Sequence, residues 1–480
     1  MENELLYTQI FYHILAKNPM NFLNLKTNLK KISWGAILLA IFVIVNPYTN
    51  LDILLLGVVL LILGHVVFKE KLLLIFLLVR PTLDYWRDFY LFTFKETSLN
   101  LNAAFSIVFL LWAIFTLLPY IKKYYNKLPL ALGFAGFLLL SGVSVFYSIS
   151  PLTSLIETIK FLNLALIFTL SYIFIKENKI NLKELLTTLV LSAIIPLFLG
   201  ALQIITGTGL STFGIHGRIF GTFAHPNVLA FFILFLLFIH TQYSIILPTE
   251  FWQKNNRLRI LTFAFLILLL LMTYTRASLV GLLLFFIIIG IFKYRKMLAG
   301  VLLGLACFYI IFYPLNYWLK SHDYYNLADV PVLNRITTRN EDADSIIWRQ
   351  ALIRESTPII EARKFLGYGF GTFPLVWEEN RNLVHQWDDS AEAHNDYLRI
   401  TLELGLTGLV VYLLFLLALT KKSFALLKIN KQKYLYIFAW ITVFIALSLT
   451  DNMLHHTPVM WLMWAWLGAV FVQSNEHPRI

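Results

Sequence analysis

Cysteine is all but missing from this chain. Cys307 stands alone in 480 residues, inside an apolar run, so no intramolecular disulfide can form in any compartment. Charge is scarce as well. Only 14% of the residues are Asp, Glu, Lys or Arg, against about 25% in an average soluble domain. Acidic residues are the rarer sign, 27 against 39 basic ones, which leaves a net charge of +12. That excess does not mark a nucleic-acid binder, because the Lys and Arg sit in short loops between apolar runs. No period of 20–50 residues and no low-complexity linker is present, which excludes a solenoid or a tethered array. His455-His456 is the nearest thing to a metal motif. Adjacent helical residues point about 100° apart, and no Cys or carboxylate cluster with ligand spacing supports a site, so no metal is expected.

What fills the chain instead is apolar surface, 59% of residues, with a mean hydropathy of +0.72. No soluble fold of this size can bury so much, and lipid must be the solvent for most of it. A crossing helix needs roughly 20 apolar residues. Fourteen candidate spans follow: 32–46, 51–68, 71–90, 101–120, 128–148, 154–176, 183–205, 224–247, 258–275, 278–293, 297–314, 396–420, 434–450 and 455–473. The segment 71–90 is the weakest, because Arg80, Pro81, Asp84, Arg87 and Asp88 fall in its second half and are expected to lie exposed outside if it ends early. The expected fold class is an all-α integral membrane protein with about 12–14 transmembrane helices.

Loop charge sets the direction. Lys26, Lys30 and Lys31, then Lys69 and Lys71, Lys122, Lys123 and Lys127, and Lys176, Lys179 and Lys183 mark one set of alternate loops. The same set continues with Lys254, Arg257 and Arg259, Lys293, Arg295 and Lys296, and the lysines of 421–433. By the positive-inside tendency these loops are cytoplasmic, as are both termini. Residues 1–31 are expected to be a cytoplasmic segment, with Leu5–Leu25 lying along the interface, rather than a cleavable signal peptide. Residues 32–314 form the first block of spans, 315–395 a large outer loop containing helices, 396–473 the last spans and 474–480 a cytoplasmic tail.

The polar residues that break the apolar pattern all fall on the outer side. Arg276, in the turn Tyr274-Thr-Arg276-Ala-Ser278 between two apolar helices, is the most informative. A charge at the hydrocarbon edge is costly, so Arg276 is either an arginine snorkelling to headgroups or an anion clamp whose planar fork matches phosphate oxygens. Arg218, flanked by Gly214, Gly217 and Gly221, poses the same choice. His225-Pro226-Asn227 opens a span, where helix capping is the expected role. The large loop ends in Asp389-x-x-Glu392-x-His394-Asn395, which predicts His394 near the second turn of a helix, kept neutral by the helix N-terminus and able to accept a proton. Arg349 and Arg354, on a helical stretch of the same loop, are either a solvated face or extra anion contacts. The Leu366-Gly-Tyr-Gly-Phe-Gly371-Thr-Phe segment is no dinucleotide fingerprint and is expected to be a tight turn docking the loop on the bundle.

Together these residues resemble the O-antigen ligase and O-antigen polymerase superfamily of bacterial envelope glycosyltransferases. The resemblance runs from about Arg218 to the C-terminus. It rests on Gly-Arg218 followed by Gly-Thr-Phe-x-His-Pro-Asn227, on Tyr-Thr-Arg276-Ala-Ser, and on His394-Asn395 followed by Gly405 and Gly408, with the glycine-rich turn ahead of it. It implies a GT-C-like bundle in the bacterial inner membrane, its active site facing the periplasm. The implied reaction moves a glycan from undecaprenyl diphosphate to a hydroxyl of lipid A–core or a related acceptor, with inversion and without metal, nucleotide sugar or other cofactor. Arg218 and Arg276 would bind the diphosphate and His394 would be the general base, with Asn395, Asn227, Arg349, Arg354 and Tyr274 in support.

The His-Asn…Gly spacing favours the ligase branch, and the paired Arg-x10-Gly pattern described for some polymerases is absent. A repeat-unit polymerase and a protein O-oligosaccharyltransferase remain alternatives. A secondary transporter is a more distant one, since the candidate intramembrane pairs Glu157–Lys160 and Arg399–Glu403 lie toward outer ends rather than at the midplane.

Overall fold

The computed structural model describes residues 50–94, 97–212, 215–246, 255–322, 345–380 and 392–472. The first span, the N-terminal interfacial stretch and the C-terminal tail lie outside the described residues. The described residues are helical almost throughout. It opens with α1 (Asn50–Phe68) and α2 (Leu72–Leu83), then a hairpin of β1 (Tyr90–Phe94) and β2 (Thr97–Asn100). There follow α3 (Leu101–Leu117), α4 (Ala131–Ser144), α5 (Pro151–Lys176), α6 (Leu182–Leu191) and α7 (Ile194–Thr206). A second hairpin, β3 (Leu210–Thr212) with β4 (Ile215–Arg218), leads into α8 (Pro226–Ile246), α9 (Asn256–Met272), α10 (Arg276–Phe292) and α11 (Arg295–Ser321). The loop region holds α12 (Ser345–Ala362) and α13 (Phe373–Asn380), and the chain closes with α14 (Asp396–Ile429), α15 (Lys431–Leu447) and α16 (Thr457–Phe471).

Five of these helical stretches are long and apolar enough to cross a membrane by themselves: Leu101–Tyr124, Pro151–Lys176, Leu182–Thr206, Leu298–Ser321 and Asp396–Ile429. Others are shorter. The 14 residues of α4 cover about 21 Å against a hydrocarbon core of about 30 Å, and they hold their place by packing Phe134 and Phe137 inward. α11 runs past residue 314, where the sequence suggested the outer loop would begin, because Pro314 is accommodated within the helix.

Two helices are apolar on every side and form the centre. Every residue of α16 from Pro458 to Phe471 is buried, as are Leu229 to Ile239 of α8. In lipid, helices associate by close packing rather than by hydrophobic exclusion, and the aromatic content supplies the contacts. Trp464 stacks on Phe415 at 5.6 Å and meets Phe134 edge-on at 5.0 Å. Gly468 lets the backbone of α16 lie against the Phe168 carbonyl of α5.

The ends of the bundle differ in chemistry. At one end basic loops interlock: Lys71 bonds Glu184 at 2.6 Å, Lys123 bonds Glu177 at 2.5 Å, and Lys179 lies 3.8 Å from Glu70. α2 starts at that end and reaches the other, where the Pro81 carbonyl accepts from Thr222 Oγ1 at 2.7 Å. Its Arg80 is not exposed, as the charged second half of 71–90 had suggested. It is 4% accessible, bonded to Asp84 at 2.8 Å and Thr457 at 2.6 Å, with its guanidinium 5.7 Å from the Trp461 ring. A buried cation that gains a carboxylate, a hydroxyl and an aromatic face recovers much of its lost hydration.

Candidate functional site

Arg218 ends β4, across from Leu210 in the hairpin. Gly217 at φ +76° and Gly221 at φ +58° turn the chain on either side of it. At Gly221 a Cβ would lie 2.6 Å from the Pro196 carbonyl, so only glycine fits both the turn and the space. Gln203 of α7 clamps the strand end, its Oε1 accepting from Phe220 N at 2.8 Å and Gly221 N at 2.9 Å. The guanidinium is thereby sunk, 2% accessible, onto the C-terminal end of α9. Its Nε donates to the Thr273 carbonyl at 3.0 Å, a contact the negative end of the helix dipole favours. Its Nη2 donates to Asn227 Oδ1 at 3.2 Å and reaches Thr275 Oγ1 at 3.4 Å.

Arg276 is the first residue of α10, directly after that Thr275. Thr275 spends its hydroxyl on Asn227 Oδ1 at 3.2 Å and makes no cap to its own helix. The positive end of α10 and the half-buried Arg276 side chain therefore start from the residue that Arg218 touches. Tyr274, one of the site residues named from sequence, takes a left-handed φ of +50° to make this turn. Its hydroxyl lies 3.8 Å from Met272 Sδ.

Asn227 does not cap α8. His225 does, its Nδ1 accepting from Asn227 N at 3.2 Å, with Pro226 at the first helical position. Freed from that task, the Asn227 amide faces both ways. Its Oδ1 takes Arg218 and Thr275, and its Nδ2 donates to Asp451 Oδ2 at 3.0 Å.

His394 is not in the second turn of a helix. The helix starts at Asp396, capped by Asn395, whose side chain accepts from Tyr397 N at 2.9 Å and Leu398 N at 3.1 Å. His394 precedes the cap with φ +45°, a strained conformation for a side-chain-bearing residue. The expected helix-terminus effect gives way to a different partner: Nδ1 lies 3.5 Å from Asp451 Oδ1. The ring is 20% accessible and meets Trp348 of α12 edge-on at 5.2 Å. Asn452 secures the strained backbone, its Oδ1 accepting from Asn395 N at 3.0 Å and its Nδ2 donating to Glu392 at 2.5 Å. Asp396 N adds a bond to the Ser448 carbonyl at 2.9 Å.

Asp451 is thus the hub, a residue to which the sequence attached no role. Burial pushes its carboxyl up, but the contacts of His394 and His456 outweigh that and hold it well below the usual carboxylate range. His455 and His456 part company, as adjacent residues should. His456 Nε2 bonds Asp451 Oδ1 at 3.2 Å, while His455 turns to Arg399, Glu157 (3.6 Å) and Glu392 (3.5 Å). Glu392 is raised by burial and lowered more by His455 and Arg399, to about 2. Lys160 completes that second group, 2.5 Å from Glu157. Among the described residues no set of three His, Cys, Asp or Glu side chains is arranged to hold a metal ion.

Arg354 is exposed on α12 and Arg349 half-buried beside Trp348. Among the described residues no hydrogen bond or ion pair joins Arg354 to the His394–Asp451 group. The glycine-rich turn docks as expected. Gly405, at φ +67°, breaks α14 and bares two carbonyls, which accept from Tyr368 N at 3.2 Å (Leu402) and Gly369 N at 2.8 Å (Glu403). Phe370 N donates to Ser144 Oγ at 3.1 Å, and Phe373 N to Glu403 Oε1 at 3.3 Å. α12 and its Trp348 are held over His394 by this dock.

The family model for O-antigen ligase matches residues 261–413. No curated protein matches the chain. The matched segment contains Arg276 and His394, while Arg218, Asn227, Asp451 and His456 reach the same site from outside it. Within this helical membrane fold, residues 261–413 are thus similar to the O-antigen ligase family, which supports a place for the chain in that superfamily.

Proposed function

We propose that this protein is an O-antigen ligase-like glycosyltransferase that moves a glycan from undecaprenyl diphosphate to a hydroxyl of lipid A–core or a related acceptor. The observation that carries the reading is the contact chain from His394 through Asp451 and Asn227 to Arg218 and the start of α10 at Arg276. It joins a base to an anion-binding end within one site.

The chemistry follows from those positions. Asp451 at the Nδ1 side of His394 sets the tautomer with Nδ1 protonated, leaving Nε2 to take the proton of the attacking hydroxyl. The imidazolium that forms is then stabilised by the Asp451 carboxylate. The hydroxyl oxygen bonds to the anomeric carbon as the bond to the lipid diphosphate breaks, and the electron pair leaves on phosphate. Arg276 and the N–H groups opening α10 meet that developing charge, with the buried Arg218 reinforcing the potential from behind. Attack opposite the leaving group inverts the anomeric centre. The basic loops at the opposite end support a cytoplasmic placement for them, with the site facing the periplasm.

Purified protein with a lipid-diphosphate-linked glycan and defined acceptors tests the reading. His394→Ala is expected to slow transfer by about a hundred- to ten-thousand-fold with folding retained. Full activity in that variant removes the base. A retained linkage in the product, read by NMR, rules out a single displacement. A repeat-unit or protein hydroxyl accepted in place of lipid A–core assigns the polymerase or protein-transferase alternative.

A further inference from the structure

Asp451 Oδ1 is an overcommitted oxygen. The Asn452 backbone N–H donates to it at 2.8 Å and His456 Nε2 at 3.2 Å, and His394 Nδ1 stands farthest away at 3.5 Å. A carboxylate oxygen has about two lone-pair sites. Three donors therefore compete, and the histidine assigned to the chemistry holds the loosest place. Opposite a carboxylate, His456 Nε2 must carry the proton and donate. The His456 side chain does not cap α16, whose first turn bonds the His456 carbonyl instead. The ring lies against Phe231 of α8 at 5.3 Å, which fixes Nε2 on Asp451.

We propose that His456 is a positioning residue that, by donating to Asp451 Oδ1, divides that oxygen between two imidazoles and limits how firmly Asp451 holds the imidazolium His394 becomes during transfer. The inference rests on His394 being the base. A base bound too tightly to its carboxylate keeps its proton and turns over slowly, so a competing donor has a use. Other charged groups face His394 as well. Glu392 lies two residues before it, and the loop before α8 brings His225, with Arg218 behind. Removing His456 leaves them in place.

The test uses the full-length protein in detergent with isotope-labelled histidine, following the His394 side-chain resonance against pH, alongside the pH dependence of kcat/KM for transfer. His456→Phe keeps the ring on Phe231 but deletes the donor. His456→Gln restores an N–H donor without an imidazole. In the Phe variant the His394 midpoint is expected to rise by on the order of one pH unit, with the acid limb of the rate profile moving up alongside it. In the Gln variant both return toward wild type. An unmoved or lowered midpoint in His456→Phe overturns the inference, as does a Gln variant that shifts as far as Phe. If the midpoint rises but the rate profile does not follow, His456 has the place assigned to it and His394 is not the base.

Discussion

At the scale of single residues, the site is a set of costly groups that offset one another's costs. Arg218 is a guanidinium removed from water, His394 a strained backbone, Asp451 a buried carboxylate. Each is tolerable because the next supplies its partner, and Asn227 is the joint between the arginine half and the His394–Asp451 half. Asn227→Ala leaves Arg218 Nη2 and Asp451 Oδ2 each short of a hydrogen bond. Transfer is expected to fall by roughly ten- to a hundred-fold, about 1.4–2.7 kcal/mol on the barrier, measured as kcat/KM at saturating acceptor. Asp451→Asn cannot stabilise an imidazolium and is expected to match the loss in His394→Ala. A double variant then falls no further than either single change, because the two residues act as a unit. Glu392 makes a separate prediction about acid. Its folded carboxyl sits at about 2 against an ordinary 4.5, so its pairing with His455 contributes fully above about pH 5 and is lost as pH falls toward 2. Glu392→Gln should lower the melting temperature at neutral pH and leave a smaller further drop between pH 5 and 3, read by fluorescence-monitored melting.

At the scale of elements, what matters is how a loop is bolted to a helical bundle. α12 hangs over His394 only because the glycine-rich turn finds free carbonyls on α14. Those carbonyls are free because Gly405 interrupts the helix. A Cβ at Gly405 would collide with the Phe365 backbone, and one at Gly369 with Ser148. Both positions also have positive φ. Gly405→Ala or Gly369→Ala is expected to cost about 2–4 kcal/mol locally, from strain and clash together. Limited proteolysis should then cut near Arg363 and Lys364 while the transmembrane helices stay intact, and transfer should fall although no site residue has changed. Docking was legible from the sequence because Gly-x-Gly-x-Gly without a βαβ context has few other uses. Its receptor was not, since a helix broken at Gly405 looks like an unbroken apolar run.

At the scale of the whole molecule, the two ends of the bundle divide the labour. Lysine-bearing loops interlock at one end, and the site is assembled at the other from four separate connections. Cys307, alone and exposed on α11, makes the arrangement easy to check. In a Cys307→Ser background, a cysteine replacing Lys127 and one replacing Thr208 should label from opposite sides with a membrane-impermeant maleimide. Labelling of both from one side would contradict the assigned topology.

Composition alone decided that lipid is the solvent, the cost of charge in such a chain singled out Arg218 and Arg276, and a helix-start signature singled out His394. A rare charged residue in an apolar sequence is visible without coordinates. The length of the apolar runs placed most helices, though not their ends: α11 continues through Pro314, and His394 falls before its helix because Asn395 is the better cap. The tertiary structure alone decided the partners. The His225-Pro226-Asn227 triplet reads as a helix cap because sequence shows only neighbours, whereas the Asn227 amide meets Asp451 from 224 residues away. Likewise the role of Asp451 comes from converging donors on distant segments, a property of packing that no local pattern encodes.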